Sequence, residues 1–99
     1  MIDVEREDGV LTIRIAGEID LANAGALEGA LEDAIDSSVA DTRIDLGAVE
    51  YLDSAGVRVL FVLADRLRTR QIGLRVYAPP GSPARRVLDI AGFAPELWI

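Results

Sequence analysis

Three side chains that carry much of protein chemistry are missing from this sequence, which has no cysteine, no histidine and no lysine. Without cysteine there can be no disulfide, no cysteine-bound zinc and no thiol nucleophile. Without histidine, a Ser-His-Asp triad and the usual imidazole metal sites are excluded. Without lysine, a Ser-Lys nucleophile pair is excluded as well. We therefore expect no catalytic residue, no metal and no cofactor, and we do not expect an enzyme.

Basic residues are also few, since ten arginines stand against 17 acidic residues and the formal net charge is −7. This balance disfavours nucleic acid and anionic membrane surfaces as partners. The densest apolar run, residues 57–64, is interrupted by Arg58 and is too short to span a membrane. The first residues lack the basic and apolar regions of a secretory signal, so we expect a cytoplasmic protein without direct membrane insertion.

The length and the apolar content predict one packed domain over residues 1–99, because 51% of the residues are hydrophobic. Alternating apolar and polar residues predict strands near 2–7 and 10–16, and Asp8-Gly9 between them indicates an antiparallel hairpin. Further strands are expected near 43–46 and 74–78, and the apolar last three residues are expected to pair or pack. The predicted fold is α/β, with a four- to five-stranded mixed sheet.

Apolar residues at helical spacing predict amphipathic helices between the later strands. The first helix covers about residues 22–36, and either Asp20 or Asn23 is placed to cap it. The long helix predicted at about 54–70 implies a right-handed parallel crossover between the strands that flank it. The strands near 43–46 and 74–78 are therefore expected to run parallel to each other.

The second predicted helix, at about 54–70, is the most apolar of the chain. Its periodicity places Leu60 and Phe61 on the buried side. A third helix follows Ser82, which is a good N-cap residue, and it ends at Gly92, which suits the left-handed position after a helix.

The stretch Asp53-Ser54-Ala55-Gly56-Val57 joins a strand to the second helix. Asp53 and Ser54 are both good N-cap residues, because their oxygens can accept the free N–H groups of a first helical turn. Ala55 and Gly56 are nearly bare, so a partner could approach the Ser54 hydroxyl closely. The pattern alone leaves two interpretations of Ser54 open: a simple helix cap, or a modification site on a docking surface.

Three segments resemble the STAS domain family, the anti-sigma factor antagonists. Residues 53–57 are similar to the family's Asp-Ser-Ser-Gly-Leu signature, with Ala55 in place of the second serine. Residues 17–20 resemble its Gly-Glu-Leu-Asp segment, and residues 82–93 resemble its C-terminal helix and the exit from it. The order and spacing match over nearly the whole chain, and the resemblance implies a single STAS-like domain.

This resemblance implies a regulatory protein that works by partner switching. The unphosphorylated protein would bind an anti-sigma factor serine kinase and so release a sigma factor. The kinase would then phosphorylate Ser54 and the complex would dissociate, and a serine phosphatase would reset the cycle. The expected partner-binding residues are Asp20, Asp53, Ser54, Ala55 and Gly56.

Alternatives remain open at several points. Asp53 and Asp20 are each either capping carboxylates or partner contacts, and Gly56 either is tolerated in the helix or clears an approach for the partner. A different class of function is a structural STAS subunit of a transport or sensory assembly, in which Ser54 is not phosphorylated. A small hydrolase with Ser54 as nucleophile is disfavoured, because no histidine, cysteine or lysine can activate it.

Overall fold

The computed structural model describes residues 1–99, which form a four-stranded sheet and three α-helices. The strands are β1 (Ile2–Glu7), β2 (Val10–Ile19), β3 (Asp41–Leu52) and β4 (Gly73–Tyr77), and they lie in that order across the sheet. β1 and β2 are antiparallel, whereas β2, β3 and β4 are parallel. The prediction of a mixed α/β sheet is confirmed, with four strands.

One helix follows each parallel strand: α1 (Ala24–Ala34), α2 (Ser54–Thr69) and α3 (Pro83–Ala91). The predicted range of the first helix was too long, because residues 21–23 form a turn and Ile35 has left the helical conformation. No helix combines the length and the apolar character needed to cross a bilayer.

Strand β2 shows how the sheet is covered on one face. Leu11, Ile13 and Ile15 are fully buried, while Thr12 and Arg14 between them point to the opposite, open face. The hairpin before this strand turns at Asp8-Gly9, where both residues have positive φ, as the two-residue turn requires. β2 also continues three residues beyond its predicted end, because it keeps pairing with β3 as far as Ile19 and Leu52.

Helix α2 packs its apolar face into the core. Leu60 is 1% exposed, which confirms its predicted burial. The same prediction for Phe61 is wrong, because this side chain is 39% exposed at the flank of the helix. Its ring meets Phe93 edge-on, with the centroids 5.3 Å apart, so Phe61 covers the core rather than filling it.

Helix α3 begins and ends as its sequence predicts. The Ser82 hydroxyl accepts the backbone N–H of Arg85 at 3.3 Å, and Gly92 adopts a left-handed conformation with φ 76°. The N–H of Phe93 then donates to the carbonyl of Leu88, and the Phe93 ring is buried. These bonds close the last turn of the helix.

The last residues of the chain pack against β4, as expected. Trp98 forms a bridge with Val76, and the N–H of Ile99 donates to the Val76 carbonyl at 2.9 Å. The Arg85 guanidinium lies 4.1 Å from the centre of the Trp98 ring, in a cation–π contact. These contacts hold the C-terminal segment against the sheet.

Candidate functional site

The candidate site lies at the carboxyl ends of two adjacent parallel strands. Ile19 at the end of β2 pairs with Leu52 at the end of β3, and the N–H of Asp53 donates to the Ile19 carbonyl at 3.1 Å. The loop that starts at Asp20 and the first turn of α2 are therefore neighbours. This is the edge at which parallel α/β sheets gather their binding residues.

Asp53 is the N-cap of α2. Its Oδ1 accepts the backbone N–H groups of Ala55 at 2.9 Å and of Gly56 at 3.2 Å. Its Oδ2 accepts the N–H of Leu21 at 3.2 Å, in the loop between β2 and α1. One carboxylate thus starts the helix and ties the neighbouring loop to it. Two interpretations of Asp53 were left open. The structure shows that Asp53 caps the helix, and its contact with a partner stays a prediction.

Ser54 is the first residue of α2, and its side chain is exposed. Asp53 already satisfies the free N–H groups of the first turn, and the Ser54 hydroxyl makes no hydrogen bond within the chain. The interpretation of Ser54 as the helix cap is therefore wrong. The hydroxyl is free to meet a partner or a modifying enzyme.

Gly56 is buried and faces the ends of the two strands. A Cβ atom at this position would lie 2.4 Å from Cδ1 of Leu52 and 2.7 Å from Cγ2 of Ile19, so that both side chains would have to shift. The structure therefore explains the glycine by interior packing, rather than by an approach path for a partner. Ala55 is half-buried and packs against the core beside it. Both small residues seat the start of α2 closely on the sheet.

Asp20 organises the turn that leads into α1. Its Oδ1 accepts the N–H groups of Ala22 at 3.0 Å and of Asn23 at 3.3 Å. In return, Oδ1 of Asn23 accepts the N–H of Asp20 at 3.0 Å. Asn23 occupies the N-cap position of α1 but its side chain makes no capping bond to that helix. The two side chains stabilise the loop beside Asp53 by hydrogen-bonding its backbone.

A groove of about 650 Å³ runs between α1 and α2 and begins at Ser54. Leu21 stands at its mouth with 82% of its surface exposed, although leucine is usually buried. Arg58, one turn along α2 from Ser54, also lines the groove. The remaining lining residues are Ala24, Gly25, Glu28, Ala55, Val59 and Val62.

Leu21 and Arg58 are exposed groove residues to which the sequence analysis gave no functional role. The signal for Leu21 in the sequence is a leucine outside the apolar stripe of the first helix, between the polar residues Asp20 and Asn23. No group of three or more acidic side chains is arranged to hold a metal ion. The site is thus a surface with one free hydroxyl, one exposed leucine and one exposed arginine.

The profile of the STAS domain matches residues 1–99. This chain belongs to the STAS domain family. It is 34% identical to RsfB, an anti-sigma-F factor antagonist of Mycobacterium tuberculosis, over 92% of this chain and 73% of RsfB. It is 36% identical to an anti-sigma factor antagonist from Mycobacterium paratuberculosis, whose crystal structure matches 93% of this chain and 77% of that chain with a TM-score of 0.83.

The fold also matches that of the anti-sigma factor antagonist SpoIIAA. The unphosphorylated form of SpoIIAA covers 100% of this STAS domain with a TM-score of 0.78, 19% identity and 86% of its own chain. The phosphorylated form of SpoIIAA gives a TM-score of 0.72 with 20% identity, covering 100% of this chain and 89% of that one. At these identities the likeness establishes the shared architecture, a four-stranded mixed sheet with three helices.

Proposed function

We propose that this STAS protein is an anti-sigma factor antagonist whose unphosphorylated form binds an anti-sigma factor serine kinase through the surface around Ser54. The kinase uses ATP to phosphorylate the Ser54 hydroxyl, the complex dissociates, and a serine phosphatase restores the binding form. The observation that carries this proposal is the free, exposed hydroxyl of Ser54, left unbonded because Asp53 caps α2. Two mycobacterial relatives that are named as antagonists support the same function.

The docking surface in this proposal combines a fixed loop with an apolar groove. Asp20 and Asp53 hold the loop in place through their bonds to backbone N–H groups. The loop presents Leu21, which can bury apolar surface against a partner and contribute about 1.5–3 kcal/mol if fully covered. Ala55 and Gly56 pack the start of α2 closely against the sheet, which fixes the position of Ser54 beside the loop.

Phosphorylation of Ser54 acts on the interface rather than on the fold. A phosphate adds about −1.5 to −2 charges at neutral pH. The N-terminus of a helix tolerates such a charge, because the positive end of the helix dipole lies there. The domain therefore stays folded, while a partner seated over Leu21 and the groove must exclude water from a doubly charged group. The fold neighbour SpoIIAA has been solved in a phosphorylated form, which agrees with a STAS domain that survives modification.

Two substitutions at the same position test the switch. Ser54→Ala is expected to bind the kinase and never to be released by ATP. Ser54→Asp is expected to fold normally yet to bind at least tenfold more weakly, a loss of about 1.4 kcal/mol. Ser37→Asp is a matched control, because Ser37 is exposed in the loop after α1 and receives the same charge change. Titration calorimetry against the kinase, with circular dichroism to verify folding, measures all three.

If Ser54→Asp binds as tightly as wild type, charge at this helix start is not the switch. The structural-subunit function would then be the better account. Phosphopeptide mapping gives an independent measurement, in which one phosphate is expected on Ser54. A phosphate on Ser37, Ser38 or Ser82 would contradict the proposal. The structure disfavours Ser38, which bonds to Asp36, and Ser82, which caps α3.

A further inference from the structure

Arg58 is placed one helical turn after Ser54 on the same face of α2. Residues four apart on a helix lie about 5–6 Å apart at their Cβ atoms, and both of these line the same groove. The Arg58 side chain is exposed, takes part in no ion pair and donates no hydrogen bond. Arg66, two turns further along the helix, differs because it pairs with Glu28 and Glu32 of α1.

The other charged groups around Ser54 are negative. Asp53 precedes Ser54 in the chain, and Asp20 lies in the loop that Asp53 binds; both carboxylates already accept backbone N–H groups. Glu28 faces the groove from α1, but Arg66 lies 3.7 Å from its carboxylate. Arg58 is thus the one cation among the groove residues, and it has no partner in the unphosphorylated protein.

We propose that Arg58 is the intramolecular partner of the Ser54 phosphate, an inference that rests on the proposed phosphorylation of Ser54. The planar guanidinium can donate two parallel N–H bonds to phosphate oxygens. An anion placed four residues before a cation is also the favourable order on a helix, because it agrees with the helix dipole. The pair draws Arg58 toward Ser54 and balances the repulsion between the phosphate and Asp53.

This pairing gives the switch a second component. In the unphosphorylated protein the Arg58 side chain is free to lie away from the groove or to contact the partner. When it pairs with the phosphate, its guanidinium covers the mouth of the groove near Leu21. Phosphorylation then changes the shape of the docking surface as well as its charge.

The test uses protein in which phosphoserine is installed at position 54 during synthesis, so that no kinase is needed. Phosphorus NMR follows the second ionisation of the phosphate, whose pKa lies near 6. Because the guanidinium stabilises the dianion, Arg58→Ala is expected to raise this pKa by roughly 0.5, and the increase should shrink in 1 M salt. Arg58→Lys should raise the phosphate pKa only about half as much as Arg58→Ala does, since lysine keeps the charge but lacks the guanidinium geometry.

Arg43→Ala is the matched control for net charge. Arg43 is exposed and lies near the opposite end of β3, far from Ser54, so its removal should leave the phosphate pKa unchanged. Equal phosphate pKa values in wild type, Arg58→Ala and Arg43→Ala would overturn the role of Arg58. The proposed function would survive that result, whereas a kinase that never modifies Ser54 would contradict the function and leave the NMR result standing.

Discussion

The two ends of helix α2 differ in how their polar groups are used. At its start, the Ser54 hydroxyl and the Arg58 guanidinium have no partner in the chain, and Leu21 beside them is largely exposed. At its end, every arginine is engaged: Arg66 with Glu28 and Glu32, Arg68 with Asp65, and Arg70 with the Ile35 carbonyl. We call the start of α2, where these groups have no partner in the chain, its open end, and the last turns, where the arginines are paired, its closed end.

The loop after α1 lies near the closed end of α2, and its polar groups are also paired within the chain. Arg6 reaches across from β1 and donates to the Ala34 carbonyl at 3.1 Å, to the Ser38 hydroxyl at 2.9 Å and to the Asp36 carboxylate at 3.2 Å. A cation near the last carbonyls of a helix is favourable, because the negative end of the dipole lies there. Each exposed pair stabilises little alone, but together they hold the C-terminal ends of α1 and α2 in place.

The largest expected effect on stability comes from a core substitution in the middle of α2, which weakens the packing of the whole helix. Leu60 lies between the two ends of α2 and is 1% exposed. Leu60→Ala leaves a cavity in the core and is expected to lower the free energy of unfolding by about 2–5 kcal/mol. Ile90→Ala is the control, because Ile90 is 82% exposed and its loss should cost less than about 0.5 kcal/mol. Urea denaturation followed by circular dichroism measures both; a Leu60→Ala loss below about 1 kcal/mol would contradict the burial.

A second pair of substitutions, at the open end of α2, distinguishes the capping role of Asp53 from the unbonded hydroxyl of Ser54. Asp53→Ala removes the acceptor for two N–H groups of α2 and for the N–H of Leu21, so it should cost about 1–2 kcal/mol. Ser54→Ala should change stability by less than about 0.5 kcal/mol, because the hydroxyl is exposed and makes no bond. Equal losses from both variants in urea denaturation would show that Ser54 shares the capping.

The choice between these two residues illustrates what the sequence could predict. Asp53 and Ser54 are equally suitable caps by residue type, and the register of the sheet decides between them. Because Leu52 still pairs with Ile19, the chain first becomes helical at Ser54, and Asp53 is left at the cap position. That pairing joins residues 33 positions apart, and no local pattern shows it.

Local patterns predicted the parts of the fold that depend on local physics. The Asp8-Gly9 turn, the alternation in β2 and the exit of α3 at Gly92 were all predicted and are all present. The exposure of Phe61 and the groove between α1 and α2 were not predicted, because both depend on how closely helices pack side by side. The same reason explains why Leu21 and Arg58 were missed.

The closed end of α2 contains one unfavourable backbone conformation, and a substitution can remove its free-energy cost. After Arg70 the chain turns through Gln71 with φ 58°, and the N–H of Ile72 donates to the Leu67 carbonyl at 2.9 Å. A left-handed backbone conformation costs an L-residue roughly 1–2 kcal/mol. Glycine avoids most of this cost, but it loses more conformational entropy on folding than glutamine does. Gln71→Gly is therefore expected to raise the free energy of unfolding by about 0.5 kcal/mol in urea denaturation.

Gly92 provides the control for this substitution, because it occupies the same position after α3 with φ 76°. Gly92→Gln should destabilise the protein by about 1 kcal/mol, for the reason that makes Gln71→Gly favourable. A Gln71→Gly variant less stable than wild type would mean that Gln71 contributes something beyond its backbone conformation.

The smallest expected effect concerns Asp36, in the loop near the closed end of α2. The Ser38 hydroxyl and N–H donate to this carboxylate, with Arg6 beside it, and they lower the pKa of Asp36 below its ordinary value of 3.8. In acid the folded protein therefore binds fewer protons than the unfolded chain does, so this stabilisation is complete above about pH 5 and is lost as the pH falls through 3.8 and below. The effect is expected to be small because the Asp36 side chain is exposed to solvent.

The measurement is the difference in free energy of unfolding between wild type and Asp36→Asn, taken by urea denaturation from pH 7 to pH 3. This difference should be constant from pH 7 to about pH 5 and should narrow toward pH 3, because protonation removes from wild type what the substitution has already removed. Ser38→Ala should weaken the same dependence, since Ser38 provides the main donors to the carboxylate. A difference that widens toward pH 3 would mean that the fold raises the pKa of Asp36 and destabilises its carboxylate, which would contradict the prediction.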